Sequence, residues 1–278
     1  MKYKLICTDM DGTLLNEQHE INEETKKTLM EAHKKGIIIA ITTGRLFASA
    51  KAYSDLLGFK IPIIASNGAY IRESDSDKCI FNSIFSNDEI LMIYDIIKKN
   101  NLSSIFYTHN TAISEKPLPP NHPYIANNKV LSLNNRIEFC IGKDILQSFK
   151  KYEGEISKVI CIENDVNKHD TLFKVKDELK SMDCFEVVSS GPNNFEVMKK
   201  GTSKGNAVKE LALSLNIKRD EIMCLGDNEN DLSMIKYAGL GIAMGNTCEL
   251  LKKEADYITD TNVNSGVAKS IKKWCFEE

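Results

Sequence analysis

MKYKLICTDMDGTLLN, residues 1–16, decides how the rest of the chain reads. Tyr3, Leu5, Ile6 and Cys7 make a short apolar run that reads as a buried strand. Asp9 and Asp11 follow, one residue apart, and then Gly12 and Thr13, where the chain turns polar. In a strand, residues i and i+2 face the same side, so an extended backbone through Thr8 aims both acids at one point past the strand's C-terminal end. Open α/β sheets bind their ligands there. Two carboxylates this close repel each other and need a cation or a shared proton, and with oxygen ligands the natural cation is Mg2+. A metal-bound carboxylate can attack phosphorus while a neighbouring acid passes protons. The competing reading is a hairpin, because Asp-Gly between apolar runs is a hairpin signal. A hairpin needs a return strand, and residues 22–35 have a helical pattern instead.

With 278 residues the chain can hold one large domain or two ordinary ones. A hydrophobic fraction of 42% and a charged fraction of 27% are ordinary for a globular protein. A net charge of −3 gives no electrostatic footprint for nucleic acid. No apolar run approaches the ~20 residues that span a bilayer, so no membrane partner is expected, and the apolar part of the N-terminus is too short for a signal peptide. The eight cysteines are scattered, without a C-x-x-C pair. Cys7, Cys161 and Cys224 lie in apolar runs as small hydrophobes. The expectation is a reduced, cytoplasmic compartment.

Strand and helix patterns then alternate. Asn22 precedes a helix with Glu23 and Glu24 in its first turn, ending near Gly36. Ile37–Ile41 is a continuous apolar run ending in Thr42-Thr43-Gly44-Arg45. A helix over roughly 46–57 and an apolar strand over 61–65 follow, the latter ending in Ser66-Asn67-Gly68. Continuous apolar strands alternating with helices predict a parallel, doubly wound sheet. Residues 70–80 read as a hairpin. Beyond Ser83 the character changes. An amphipathic helix over 87–100, strands over 102–107, 156–162 and 184–188, and a Pro-rich loop over 116–123 suggest an α+β insertion. Ser189-Ser190-Gly191-Pro192 reads as the returning linker. The predicted division is residues 1–83 and 191–278 for the core and 84–190 for the insertion. After it, a strand over 194–198, a helix capped by Ser203, strands over 222–225 and 240–243, and a terminal helix carrying Val267, Ile271 and Trp274 rejoin the core.

Asp227 and Asp231 stand at the end of the 222–225 strand, which would bring them to the same sheet edge as Asp9 and Asp11. They also suit a turn and a helix N-cap. An EF-hand loop is excluded because Leu232 stands where a glycine is required. Lys204 falls in the first turn of a helix, where the dipole disfavours a cation. Either it points into water or an anion is bound there, with Gly201 and Gly205 letting backbone amides approach that anion. Thr43, Gly44 and Arg45 offer a hydroxyl and a helix N-terminus, suited to phosphate or to simple capping; Arg45 could instead sit between domains. The glycines over 239–245 have a G-x-G-x-x-x-G spacing, one residue too long for a dinucleotide fingerprint, and no P-loop sequence is present.

Together these pieces resemble the haloacid dehalogenase-like superfamily, and within it the Cof-type phosphatases. DMDGTLL at 9–15, TTGR at 42–45, KG at 204–205 and GDNENDLSMI at 226–235 occur in the family's order. SNGA at 66–69, FEVM at 195–198 and ADYITDTNVNSGVA at 255–268 support them. The resemblance implies a doubly wound, Rossmann-like core with an inserted α+β cap. It implies Asp9 as the nucleophile, forming an aspartyl-phosphate, and Asp11 as the acid that protonates the leaving alcohol and then activates water. Thr43, Gly44, Lys204 and Asn230 would bind the phosphoryl group. Mg2+ would be held by Asp9, Asp227 and the carbonyl of Asp11, supported by Asp231.

The expected function is a Mg2+-dependent phosphatase of small phosphorylated metabolites, sugar phosphates foremost. A phosphomutase-like phosphotransferase would need a second phosphate site in the cap. A non-catalytic phosphometabolite-binding regulator would not need both Asp9 and Asp11. The cap carries no family motif; Tyr107, His109, Asn121 and His122 are its residues best suited to reach a substrate, with hinges expected near Ser83 and Gly191-Pro192.

Overall fold

The computed structural model describes residues 2–120, 122–129, 131 and 133–277. The chain opens with β1 (Leu5–Thr8), α1 (Glu23–Lys34), β2 (Ile38–Thr42), α2 (Phe47–Asp55), β3 (Pro62–Ala65) and the hairpin β4 (Tyr70–Glu73) with β5 (Cys79–Asn82). The insertion runs α3 (Asn87–Lys99), β6 (Ser104–Tyr107), β7 (Thr111–Ser114), α4 (Pro123–Asn128), β8 (Glu138–Ile141), α5 (Ile145–Lys151), β9 (Lys158–Ile162), α6 (His169–Ser181), β10 (Phe185–Val188) and β11 (Asn194–Lys199). The chain closes with α7 (Lys204–Ser214), β12 (Ile222–Gly226), α8 (Leu232–Tyr237), β13 (Leu240–Ala243), α9 (Glu249–Glu254), β14 (Tyr257–Ile258) and α10 (Gly266–Ile271).

The core is an eight-stranded sheet in the order β14-β13-β12-β1-β2-β3-β4-β5. The strands from β14 through β3 are parallel, and the β4–β5 hairpin extends the sheet antiparallel. Alternation sorts β1 cleanly. Ile6 packs on one face with Ile39, Ile41, Ile63 and Leu225 beneath Leu29 of α1 and Val267 and Ile271 of α10. Leu5 and Cys7 pack on the other with Cys224 beneath Val208 and Leu211 of α7 and Met234 of α8. Both faces are covered, which is why these strands are continuous apolar runs. The strand–helix alternation thus gives the doubly wound, Rossmann-like sheet expected, carrying an inserted α+β cap.

The cap has its own six-stranded sheet, β10-β11-β9-β6-β7-β8, with its own core of Phe85, Ile93, Ile97, Phe106, Phe149, Val175 and Phe195. One boundary differs from expectation. The strand over 194–198 belongs to this sheet, pairing antiparallel with β10 and β9, so residues 191–192 are the turn of a hairpin inside the cap and not a linker. The cap therefore reaches to about residue 200 instead of 190. An apolar strand announces burial but not its partner, which is why the local pattern placed it in the core. The two crossings meet where the Ser83 and Thr202 hydroxyls hydrogen-bond at 2.8 Å. The other face of the cap sheet, with Tyr107 and Ala112, packs together with Tyr124 of α4 on Leu46 and Ala48 of the core and so roofs the C-terminal edge of β1 and β2.

Candidate active site

Beyond β1 the Asp9 amide still donates to Leu225 of β12, at 2.9 Å, so Asp9 leaves the sheet at its C-terminal edge with its side chain buried. Asp227 follows β12 directly. The chain after Asp11 passes so close to Asp227 that a Cβ on Gly12, whose φ is +82°, would sit 2.4 Å from Asp227 Oδ2. Only glycine suits that left-handed, crowded position. Thr13 Oγ1 donates to Asp227 Oδ1 at 2.8 Å. Asp231 closes the turn over 229–231, and its Oδ2 accepts from the Asp227 and Asn228 amides at 2.9 and 3.0 Å.

Lys204, the first residue of α7, is 1% exposed and turned inward. Its Nζ donates to Asp9 Oδ1 at 2.6 Å and to Asp231 Oδ1. Of the two readings of a first-turn lysine, water is excluded, but the anion is the protein's own pair of acids and not a bound one: the Gly201 and Gly205 amides do not approach it, donating instead to Glu186 Oε1 and Ser233 Oγ at 3.0 Å each. Ser203 caps the helix by accepting from the Asn206 amide. The cluster of Asp9, Asp227 and Asp231 against Lys204 holds three carboxylates and one cation, an excess of negative charge in a buried place. Burial, then repulsion from Asp231, pushes the Asp9 carboxyl well above its ordinary range against the pull of Lys204. Burial and Asp231 push Asp227 up to about 6. Burial works against the Lys204 charge, but Asp231 and Asp9 outweigh it and hold the ammonium form.

One oxygen from each of Asp9, Asp227 and Asp231 lies within 4.8 Å of the others. Both oxygens of Asp231 are engaged by Lys204 and the two amides, so it braces the cluster. Lys204 and Thr13 take one oxygen each from Asp9 and Asp227; among the described residues the second oxygens are left for a cation. A hard, oxygen-only donor set with uncompensated negative charge fits Mg2+.

The Asp11 carboxylate does not join this cluster. It lies at the opening, 45% exposed, gripped by the fork of Arg45, whose Nε donates to Oδ2 at 2.7 Å and whose Nη2 donates to Oδ1. Arg45 also lies over the Tyr53 ring, 5.0 Å from its centre. The Thr43 hydroxyl is buried and accepts from the Arg45 amide at 3.1 Å. Asp9, Asp11, Thr43, Gly44 and Asn230 share the wall of one cavity of about 580 Å³ between core edge and cap.

Tyr107 and His122 line that cavity from the cap, as expected. His109 does not; it stacks on Tyr70 at the joint between domains, 5.3 Å between ring centres. Asn121 lies outside the described residues. Sequence reading missed Tyr124, Lys158 and Glu196, which also line the cavity. Lys158 and Glu196 are single charges in the otherwise apolar runs KVICI and FEVM, and that was the available signal. Lys158 Nζ donates to Glu196 Oε2 at 3.0 Å and to the carbonyl of Gly44 at 2.6 Å. Ser190 Oγ donates to Glu196 Oε1, and Asn67 Nδ2 to its Oε2 at 2.6 Å. Asn67 Oδ1 in turn accepts from Asn230 Nδ2 at 3.1 Å.

Residues 6–271 match the family model of haloacid dehalogenase-like hydrolases. A 5-amino-6-(5-phospho-D-ribitylamino)uracil phosphatase of Bacillus subtilis (strain 168), YcsE, is 32% identical over 271 residues, covering 98% of this chain and 95% of its own. A haloacid dehalogenase-like hydrolase from Bacteroides thetaiotaomicron superposes with a TM-score of 0.82 at 30% identity, covering 98% of this chain and 99% of that one. The subclass IIB sugar phosphatase BT4131 superposes at 0.77 with 26% identity, over 98% of each chain.

Proposed function

Because the chain belongs to the haloacid dehalogenase-like hydrolases, and relatives such as YcsE and BT4131 are phosphatases, we propose that it is a Mg2+-dependent phosphatase of small phosphorylated metabolites, sugar phosphates foremost. The observation that carries this reading is the buried excess of carboxylate around Lys204, at the inner wall of a cavity roofed by the cap. Asp9 attacks phosphorus and becomes an aspartyl-phosphate. Asp11 acts on the leaving alcohol as an acid and then on the incoming water as a base, which requires Arg45, now donating to both its oxygens, to release it. Lys204, Thr43, Gly44 and Asn230 hold the phosphoryl oxygens, where preorganised donors meet developing charge. Asp9, Asp227 and the Asp11 carbonyl would hold Mg2+, braced by Asp231; when bound it supplies positive charge to the transferring group.

A volume of about 580 Å³ suits a small molecule. Tyrosines, Ser190 and Asn127 around it offer hydroxyl and amide partners for a polyol. A phosphotransferase would need a free cation in the cap for a second phosphate. Among the described residues, the arginine and lysine on the wall are already paired, Arg45 with Asp11 and Lys158 with Glu196, which favours hydrolysis. We assign the enzyme to the cytoplasm, an assignment supported by eight free cysteines. The test is release of inorganic phosphate from a panel of phosphorylated sugars, polyols and aryl esters. We expect turnover with Mg2+ that is lost in EDTA and restored by Mg2+. No phosphate release from any ester, or full rates in chelated protein, overturns the reading.

A further inference from the structure

Lys158 and Glu196 are both 4% exposed, among the described residues the most deeply buried ion pair outside the carboxylate cluster, and both come from the cap. Burying such a pair is costly unless its remaining hydrogen-bonding capacity is met. It is met largely by the core. Lys158 gives a hydrogen bond to Gly44 O, and Glu196 receives one from Asn67. Burial alone would push the Glu196 carboxyl up, yet the Lys158 charge and the hydrogen bonds from Ser190, Lys158 and Asn67 hold it below its ordinary range.

Each core partner leads directly to a phosphoryl-binding group. The carbonyl of Gly44 belongs to the peptide whose N–H is that of Arg45, and that N–H donates to Thr43 Oγ1 at 3.1 Å. A lysine on the carbonyl polarises the whole peptide and fixes its plane, so the amide holds the Thr43 hydroxyl more firmly. Asn67, in the left-handed conformation at φ +54°, bonds its own amide to Thr43 O at 3.0 Å and accepts from Asn230 through its side chain. Glu196 fixes which way the Asn67 amide faces, and Asn67 fixes Asn230.

We propose that Lys158 and Glu196 are positioning residues: a latch through which the cap, when seated, sets Thr43 and Asn230 against the phosphoryl group. They act through Gly44 and Asn67 and not by contact with phosphorus. The proposal rests on the phosphatase reading above for its substrates. The seated cap thereby organises the phosphoryl site alike for any phosphoester the cavity admits, whatever its leaving group.

The test uses the full chain and three variants, Lys158→Met, Lys158→Arg and Glu196→Gln, checked for native melting. A small aryl phosphate and a sugar phosphate are turned over by each, and inorganic phosphate binding is measured by calorimetry with Mg2+ present. With a latch, Lys158→Met lowers kcat ~10- to 100-fold on both esters, the scale of a displaced positioning group, and weakens phosphate binding several-fold. Lys158→Arg recovers part of both losses, and Glu196→Gln shows the same pattern at smaller size. Loss of sugar phosphate turnover alone, with aryl phosphate kcat and phosphate affinity unchanged, overturns the proposal and makes the pair a reader of the leaving group. If Lys158→Met fails to fold, Glu196→Gln decides by the same criteria. If the wild type turns over no ester, the phosphatase reading fails, while phosphate affinity across the variants still decides the latch.

Discussion

Two lysines are buried near the site, Lys204 in the core and Lys158 on the cavity wall in the cap, and their surroundings differ in one respect. Lys204 of the core meets Asp9 and Asp231 with Asp227 alongside, so its neighbourhood is short of positive charge. Lys158 of the cap meets Glu196 alone, and a carbonyl and an amide complete the set, so its neighbourhood is balanced. An unbalanced buried cluster has to be completed by something that binds; a balanced one is complete as folded. On the readings proposed above, the core site takes up a cation and reacts, and the cap site holds a geometry.

The sharpest way to break this contrast is Asp9→Asn. Removing the attacking charge should lower kcat by ~10^3-fold or more, since covalent catalysis has no substitute group here. The same change should raise the melting temperature of the metal-free protein. A carboxyl whose folded value lies above its unfolded one destabilises the fold wherever it is ionised, and Asp9 is such a group. Turnover above a tenth of wild type would remove Asp9 from its role as nucleophile, and a clear fall in melting temperature without metal would contradict the surplus of negative charge around it.

A smaller effect should follow from metal alone. Mg2+ at about a hundred times its dissociation constant stabilises by ~2.7 kcal/mol if it binds only the folded state. For a chain of this size that is a rise of roughly 5–10 °C in melting temperature. EDTA should reverse it, and Asp227→Asn should abolish most of it while Glu196→Gln leaves it in place. Equal losses in both variants would erase the distinction between the two clusters.

The smallest expected effect is at the balanced pair. Glu196 titrates below its ordinary value of 4.5 in the fold, so its ionised form contributes stability that is fully present above that pH. The contribution is lost as pH falls through the lower, folded value. The melting-temperature gap between wild type and Glu196→Gln should thus be constant near neutrality and narrow below about pH 4.5. A gap that widens with acid contradicts the assignment of Glu196 as a paired, ionised carboxylate.

The difference between the clusters also explains what the sequence revealed. Asp9, Thr43, Lys204, Asp227 and Asp231 each stand at or just beyond the end of a strand or the start of a helix, and element ends are what local patterns mark best. The doubly wound sheet was legible for the same reason, from apolar runs alternating with capped helices. Lys158 opens β9 and Glu196 lies inside β11, 38 residues apart, and they acquire meaning only from the antiparallel pairing of those strands. That pairing is also what moves 194–199 from core to cap. The grip of Arg45 on Asp11 is equally non-local, joining residues 34 apart. β7, β8, α4 and α5 are short, and each lacks the length over which a period becomes visible.

The meeting of Ser83 with Thr202 gives the architecture a further property. A chain that leaves and returns through one doorway makes its insertion a cassette. The sheet carrying Asp9 and Asp227 does not have to bend or lengthen to carry a different cap, because both ends of any graft begin from adjacent points. Such a joint lets one reaction centre acquire new clients by exchange of a single block of sequence. An incoming block would still have to pack on Leu46 and Ala48, and under the latch proposed above it must bring a partner for Gly44 and another for Asn67.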